Sequence, residues 1–216
     1  MLEVKNVFLS YNKDYFTLND ISFSLNNNEQ LTIVGNQDSG KSSIARLLVG
    51  LDKPNKGTIS FNDINIEKID FKNDIELGYI PTDFAFMNRK SIQKNLEYVL
   101  KIRKLNKDTM LVKVANALVN YDLEIIKNKK INQLNYYEKL KVAIARLSLR
   151  NIDFFVIDDV FSKLDGREKS EICSILKKLI KQNNASALIL CSDLETAEIL
   201  GYNKMKLNYG TLENLK

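Results

Sequence analysis

The segment Gly35-Asn-Gln-Asp-Ser-Gly40-Lys41-Ser42 fits the pattern G-x-x-x-x-G-K-[ST], and its flanks constrain the fold more than any other feature of the chain. Before it stands the apolar run Gln30–Val34. After it, Lys41 to Val49 carries Ile44, Leu47 and Leu48 at helical spacing until Gly50 stops the pattern. A strand, a glycine-bearing loop and a helix in that order place the loop at the carboxyl end of a strand in an α/β fold. The chemistry follows from the residue types. Backbone N–H groups from Gly35, Asn36, Gln37, Asp38, Ser39 and Gly40, with the helix start at Ser43, are expected to face a polyphosphate. Lys41 reaches the terminal phosphate oxygens, and the Ser42 hydroxyl is a Mg²⁺ ligand. The expected ligand is a nucleoside triphosphate with its metal.

The rest of the chain extends this order. Leu2, Val4, Val7 and Leu9 mark a first strand, and Ile21, Phe23 and Leu25 alternate with Ser22 and Ser24 in a second, with Asn26–Asn28 as a turn. Gly57–Phe61 and Gly78–Pro81 are further strand candidates. From Ser91 to about Arg150 the pattern is helical, beginning with Ile92, Leu96, Val99 and Leu100. Phe154–Ile157 and Ala187–Cys191 are continuous apolar runs, expected of buried parallel strands. Between them lies an amphipathic helix around Arg167–Lys181. The expected architecture is one domain over residues 1–216. It has a phosphate-loop core of mixed or parallel sheet flanked by helices, an N-terminal antiparallel β part, and a helical insert over approximately 83–150.

Composition removes several chemistries. With no histidine among the 216 residues, catalytic triads, imidazole acid–base steps and histidine metal ligands are excluded. Two cysteines, Cys173 and Cys191, make neither a zinc site nor a disulfide framework and read as small buried residues. A net charge of +5 is mild and scattered, so nucleic acid is not an expected partner. No apolar run nears the roughly 20 residues of a membrane helix. A cytoplasmic location is expected, with any membrane reached through a partner.

Asp158 follows Phe154–Ile157 at the end of a buried strand, the place for a second acidic group that holds Mg²⁺. Ser162-Lys-Leu-Asp165 comes next, and Leu190-Cys-Ser-Asp193 closes the following strand. With these segments in order, essentially the whole chain resembles the ATP-binding cassette (ABC) family, in particular the nucleotide-binding subunit of an ABC transporter. The resemblance implies that Tyr11 stacks on adenine and that Leu18–Phe23 is the strand before the phosphate loop. It also implies that Gly78-Tyr-Ile-Pro-Thr-Asp83-Phe-Ala-Phe is the Q-loop region and that Gln133–Arg146 holds the signature and its helix, while Ser162–Asp165 is similar to the D-loop. In that family two cassettes sandwich ATP head to tail and move a membrane permease. Asn135 and Glu138 would then face the partner's nucleotide, and Phe84, Phe86 and Met87 either meet the permease or pack inside the insert.

Five motifs depart from the family pattern, all in the machinery around the γ-phosphate. The signature reads Leu134-Asn135-Tyr136-Tyr137-Glu138, with tyrosines where glycines permit close backbone approach. Asp159 stands for the glutamate base and is one methylene shorter. Ser192 replaces the sensing histidine, Thr82 the metal- and water-contacting glutamine, and Asp38 a loop glycine. Lys41, Ser42 and Asp158 are kept. The expected subunit binds Mg-ATP and splits it slowly or not at all, with Asp159 as a weak base and Ser192 at the switch position.

Other functional classes fit less of the chain. A non-transport scaffold or sensor that dimerises on ATP stays open beside the transporter reading. A small-molecule kinase has no role for the signature and D-loop segments. A GTPase would need an aspartate that Asn203-Lys204-Met205-Lys206 lacks.

Overall fold

The computed structural model describes residues 1–11, 17–71 and 73–215. Its frame is two sheets set by two periodicities. β1 (Leu2–Leu9), β2 (Leu18–Leu25), β4 (Lys56–Phe61) and β5 (Ile64–Asn65) form an antiparallel sheet in the order β2-β1-β4-β5. Leu2, Val4, Val7 and Leu9 face inward from β1, as the alternation predicts.

The larger sheet runs β10-β9-β3-β8-β7-β6, from β3 (Gln30–Gly35), β6 (Leu77–Ile80), β7 (Phe154–Asp158), β8 (Ser186–Cys191), β9 (Asn203–Asn208) and β10 (Thr211–Asn214). Its pairs are parallel except the β9–β10 hairpin. The apolar runs of β7 and β8 are continuous because both faces are covered. Phe154 and Val156 pack toward the antiparallel sheet, whereas Phe155 and Ile157 join the core on the helical side. Leu188 and Leu190 face the first core, Ala187 and Ile189 the second.

The helices divide by core. α1 (Lys41–Leu48) buries Ile44, Ala45, Leu47 and Leu48 among strands of both sheets. α2 (Ile92–Ile102), α3 (Lys107–Asn120) and α4 (Tyr136–Ser148) occupy the stretch between β6 and β7, and α5 (Gly166–Asn183) and α6 (Leu194–Leu200) follow the last two buried strands. Leu18–Phe23 lies in β2 of the antiparallel sheet, and β3 is the strand that leads directly into the loop. Among the described residues no helix is long and apolar enough to cross a membrane. Cys173 and Cys191 are free and buried, and burial pushes their thiols up to about 11 and about 12.

Candidate nucleotide site

The loop between β3 and α1 is shaped by what its residues cannot have. Gly40 takes φ +104° just before α1, a left-handed value that a side chain resists, and a Cβ there would lie 2.8 Å from Leu18. Asp38 also sits at positive φ, 63°, a region aspartate tolerates better than most residues. Lys41 is 5% exposed and folds back over the loop. Its ammonium donates to the carbonyls of Gly35 at 2.6 Å and Asn36 at 2.8 Å, and lies 3.4 Å from Asp159 Oδ2.

Strand ends supply the acids. Asp158 closes β7 almost fully buried and accepts from the Ser42 hydroxyl at 3.0 Å. Asp159, at φ 47°, accepts from Ser192 Oγ at 3.0 Å, and its N–H donates to Leu190 O. Burial raises the Asp158 carboxyl above the usual carboxylate range. Ser42 and Lys41 oppose that rise, and the neighbouring charge of Asp159 adds to it. Tyr79 beside it is pushed up to about 12, by burial first and by Asp158 second.

A cleft of about 550 Å³ opens above these groups. It is lined by the loop and helix start at Gln37, Asp38, Gly40, Lys41, Ser42 and Ser43, by Thr82 and Asp159, and by Tyr11, Thr17, Tyr209 and Gly210. Tyr11 is held from outside the cleft. Its hydroxyl donates to Asp52 Oδ2 at 2.5 Å and lies 3.4 Å from Ser43 Oγ. Asp52 in turn takes two hydrogen bonds from Arg46 of α1, both at 2.8 Å, which hold its carboxyl below the ordinary value.

The structure therefore brings Tyr11, the loop, Thr82 and Asp159 around one space, with Asp158 and Ser192 bound to its lining. Asn135 and Glu138 lie outside it. They form a reciprocal cap at the start of α4, Asn135 Oδ1 taking the Glu138 N–H at 2.8 Å and Glu138 Oε2 the Asn135 N–H at 3.0 Å. Of the three large apolar residues within five positions of Thr82, Phe84 is buried, while Phe86 and Met87 are half-buried.

Sequence reasoning misses Asp52, Thr17, Tyr209 and Gly210. The Gly210 N–H donates to Ser39 O at 3.2 Å, and a Cβ on Gly210 would stand 2.4 Å from Thr17 O, so the β9–β10 turn seats on the phosphate loop. The only signal for it is a lone glycine far along the chain.

The raised Asp158 value has a consequence for the ligand-free fold. A carboxyl whose folded pKa exceeds its unfolded one contributes stability below the unfolded value and loses it as pH rises through the folded one. Ionised Asp158 is thus a burden at neutral pH. Asp158→Asn, which keeps an acceptor for Ser42, should melt higher than the native chain under mildly alkaline conditions, by about 2–4 °C per kcal/mol relieved. The gap should close toward acid. A thermal scan in which the variant melts lower at alkaline pH contradicts this account.

Known proteins share both the pattern and the fold. The ABC transporter family model matches residues 18–162. The chain is 27% identical over 214 residues to the sn-glycerol-3-phosphate import ATP-binding protein UgpC of Bartonella bacilliformis, covering 99% of this chain and 62% of that protein. It is 29% identical over 206 residues to the energy-coupling factor transporter ATP-binding protein EcfA of Malacoplasma penetrans, covering 94% and 71%. The chain thus spans less than two-thirds of the length of the first of these relatives. Its fold superposes on the dimeric structure of a bacterial ABC transporter cassette with a TM-score of 0.87, at 24% identity, over 100% of this chain and 99% of that one. Since the family match runs from β2 through the phosphate loop to the segment beyond Asp159, on a cassette fold, this chain belongs to the ABC transporter family.

Proposed function

We propose that this chain is an ATP-binding subunit that clamps Mg-ATP at Lys41, joins a second cassette and couples to a membrane permease, with weak or no hydrolysis of its own. One observation carries the reading. The groups that hold phosphate and metal are all present around a single cleft, while the groups that would drive water at the γ-phosphate are shortened or replaced. Lys41, Ser42 and Asp158 supply the first set. Asp159 and Ser192 occupy the second set and are bonded to each other.

The donor chemistry fits Mg²⁺. Ser42 Oγ and Asp158 Oδ1 are hard oxygens already 3.0 Å apart, and Mg²⁺ is commonly held by one or two carboxylates plus substrate phosphates. Among the described residues no cluster of three or more acidic, histidine or cysteine side chains offers an all-protein cage. Ser42 and Asp158 would hold the ion, with Thr82 at the rim. When bound, it supplies positive charge against the β- and γ-phosphate oxygens.

Partnership enters through the relatives, which are import and energy-coupling ATP-binding proteins, and through the dimeric cassette whose fold this chain shares. Co-purification of an integral membrane protein and a second cassette from detergent-solubilised membranes tests it. Recovery of a soluble dimer alone in the presence of ATP supports the scaffold or sensor function instead.

Base recognition is assigned to Tyr11, with Asp52 as its tether. Tyr11→Ala should weaken Mg-ATP binding by about 1–2 kcal/mol, the range of aromatic contacts with a base. Asp52→Ala leaves the ring in place but free to turn, and should weaken binding by about threefold, the scale of one lost hydrogen bond. Calorimetric titration separates the two. Equal affinity in Tyr11→Ala and native protein removes the residue from the site.

A further inference from the structure

Tyr136 stands where the family has glycine, and its ring turns into the protein. The phenol donates to the Val160 carbonyl at 3.0 Å. The ring lies 5.2 Å from that of Phe84 with the planes 42° apart, and Lys163 Nζ sits 5.2 Å from its centroid. One side chain at the start of α4 therefore touches the segment after Thr82 and the segment after Asp159.

At both ends it meets backbone in an unusual state. Phe84 and Ala85 have φ of 58° and 45°, and Asp159 has 47°. Phe84 is the strained one, since a bulky residue persists in the left-handed region only where its surroundings hold it, whereas aspartate tolerates that region better. Arg146 of α4 holds the first pair, its Nη1 donating to the carbonyls of Phe84 and Ala85, each at 3.2 Å, while its guanidinium lies 5.0 Å over Phe86. Lys41, Ser192 and Leu190 O hold Asp159. The contacts form an unbroken series from Lys41 through Asp159, Val160, Tyr136 and Phe84 to Phe86. Burial first, and Asp159 second, push the Tyr136 phenol up to about 12, so it remains a donor at neutral pH.

We propose that Tyr136 is a positioning residue that carries the occupancy of the Lys41 site to the Phe84–Phe86 segment within one chain. A phosphate that draws Lys41 off Asp159 releases one of the restraints on residues 159 and 160. The phenol follows the Val160 carbonyl, and the ring moves against Phe84. The tyrosine at the signature position would then act on this chain's own site. The inference rests on Mg-ATP binding at Lys41.

The chain has no tryptophan, so Phe86→Trp gives a single fluorescent reporter beside Arg146. In that background, Mg-ATP binding is measured by equilibrium dialysis and the tryptophan emission is followed in the same samples. Saturating Mg-ATP should shift the emission, with a midpoint that matches binding. Adding Tyr136→Phe, which removes only the hydroxyl and its bond to the Val160 carbonyl, should cut the shift per bound nucleotide to about a third or less. Lys163→Ala should reduce it less. A purely structural role lowers the melting temperature but keeps the same shift per bound nucleotide, and that result overturns the proposal. So does tight binding with no emission change in Phe86→Trp alone. Failure of Phe86→Trp protein to bind Mg-ATP, with the native chain failing too, would instead overturn the nucleotide site and the coupling with it.

Discussion

Replacing Lys41 with methionine should abolish measurable Mg-ATP binding, a loss of at least about 10²-fold from the charge-assisted contacts that an ammonium makes to phosphate. Methionine keeps the buried stem and its packing, so the comparison isolates the charge. The same substitution removes the counter-ion of Asp159 and two donors to the carbonyls of Gly35 and Asn36. The loop should therefore lose rigidity even without nucleotide, seen as faster amide exchange over residues 35–41. Two readings of the lysine are thereby separated. If it serves only to close the loop, exchange rises while titration with Mg-ATP still saturates at native affinity, and the nucleotide assignment fails.

The second large effect concerns turnover. The isolated protein should hydrolyse ATP at least about 10²-fold slower than a cassette with glutamate and histidine in place, the usual size of one lost acid–base or charge-stabilising group. Asp159→Glu alone should not recover it. Asp159 is engaged on both sides, by Lys41 at 3.4 Å and Ser192 at 3.0 Å, so lengthening it disturbs a bonded pair without supplying the missing imidazole. The signature side is separate. In a head-to-tail pair, the Leu134–Glu138 segment would sit at the other chain's nucleotide without the glycines that permit close backbone approach, its Tyr136 ring being turned onto Val160 of its own chain, so a homodimer would combine both sets of losses at each site, whereas a heteromer would divide them. Recovery in a homodimer should need Asp159→Glu, Ser192→His, Tyr136→Gly and Tyr137→Gly together, because groups that act as one catalytic unit are strongly non-additive. Steady-state phosphate release decides this. A fast ATPase from Asp159→Glu alone would show the tyrosines to be harmless.

The sequence was most legible where one physical requirement dominated a segment. β7 and β8 announce themselves because a strand covered on both faces must be apolar at every position. Expected Gly57–Phe61 and Gly78–Pro81 correspond to β4 at Lys56–Phe61 and β6 at Leu77–Ile80. The phosphate loop is readable because few residues besides glycine accept its backbone. The β9–β10 hairpin leaves almost no trace, since Lys204, Lys206 and Asn208 make β9 polar at alternate positions and break the apolar signal. Side-chain direction was also hidden. Nothing local shows that Tyr136 turns inward toward Val160, because its partners are supplied by the segments after Asp159 and after Thr82 rather than by its own helix. Asp52 was hidden for the same reason. Its value to the cleft comes from Tyr11, forty-one positions earlier, and from Arg46 on the adjacent helix.

The seating of the Tyr209–Gly210 turn on Ser39 also sets a timetable. β3 lies between β8 and β9, so both its neighbours in the sheet come from residues 186–208. The ribosome makes the phosphate loop early but its supports late, on the order of ten seconds or more afterwards at ordinary synthesis rates. Until Cys191 has emerged β3 has two open edges, and until Leu207 has emerged it still has one, and an exposed apolar strand in a nascent chain invites wrong pairings. The strands β1, β2, β4 and β5 are complete by Asn65, but the core they face is closed by Phe154, Val156, Leu188 and Leu190, so the antiparallel sheet waits on late residues as well. A growing chain is thus expected to stay blind to nucleotide through most of its synthesis, and ligand capture would mark the moment at which synthesis has passed the hairpin.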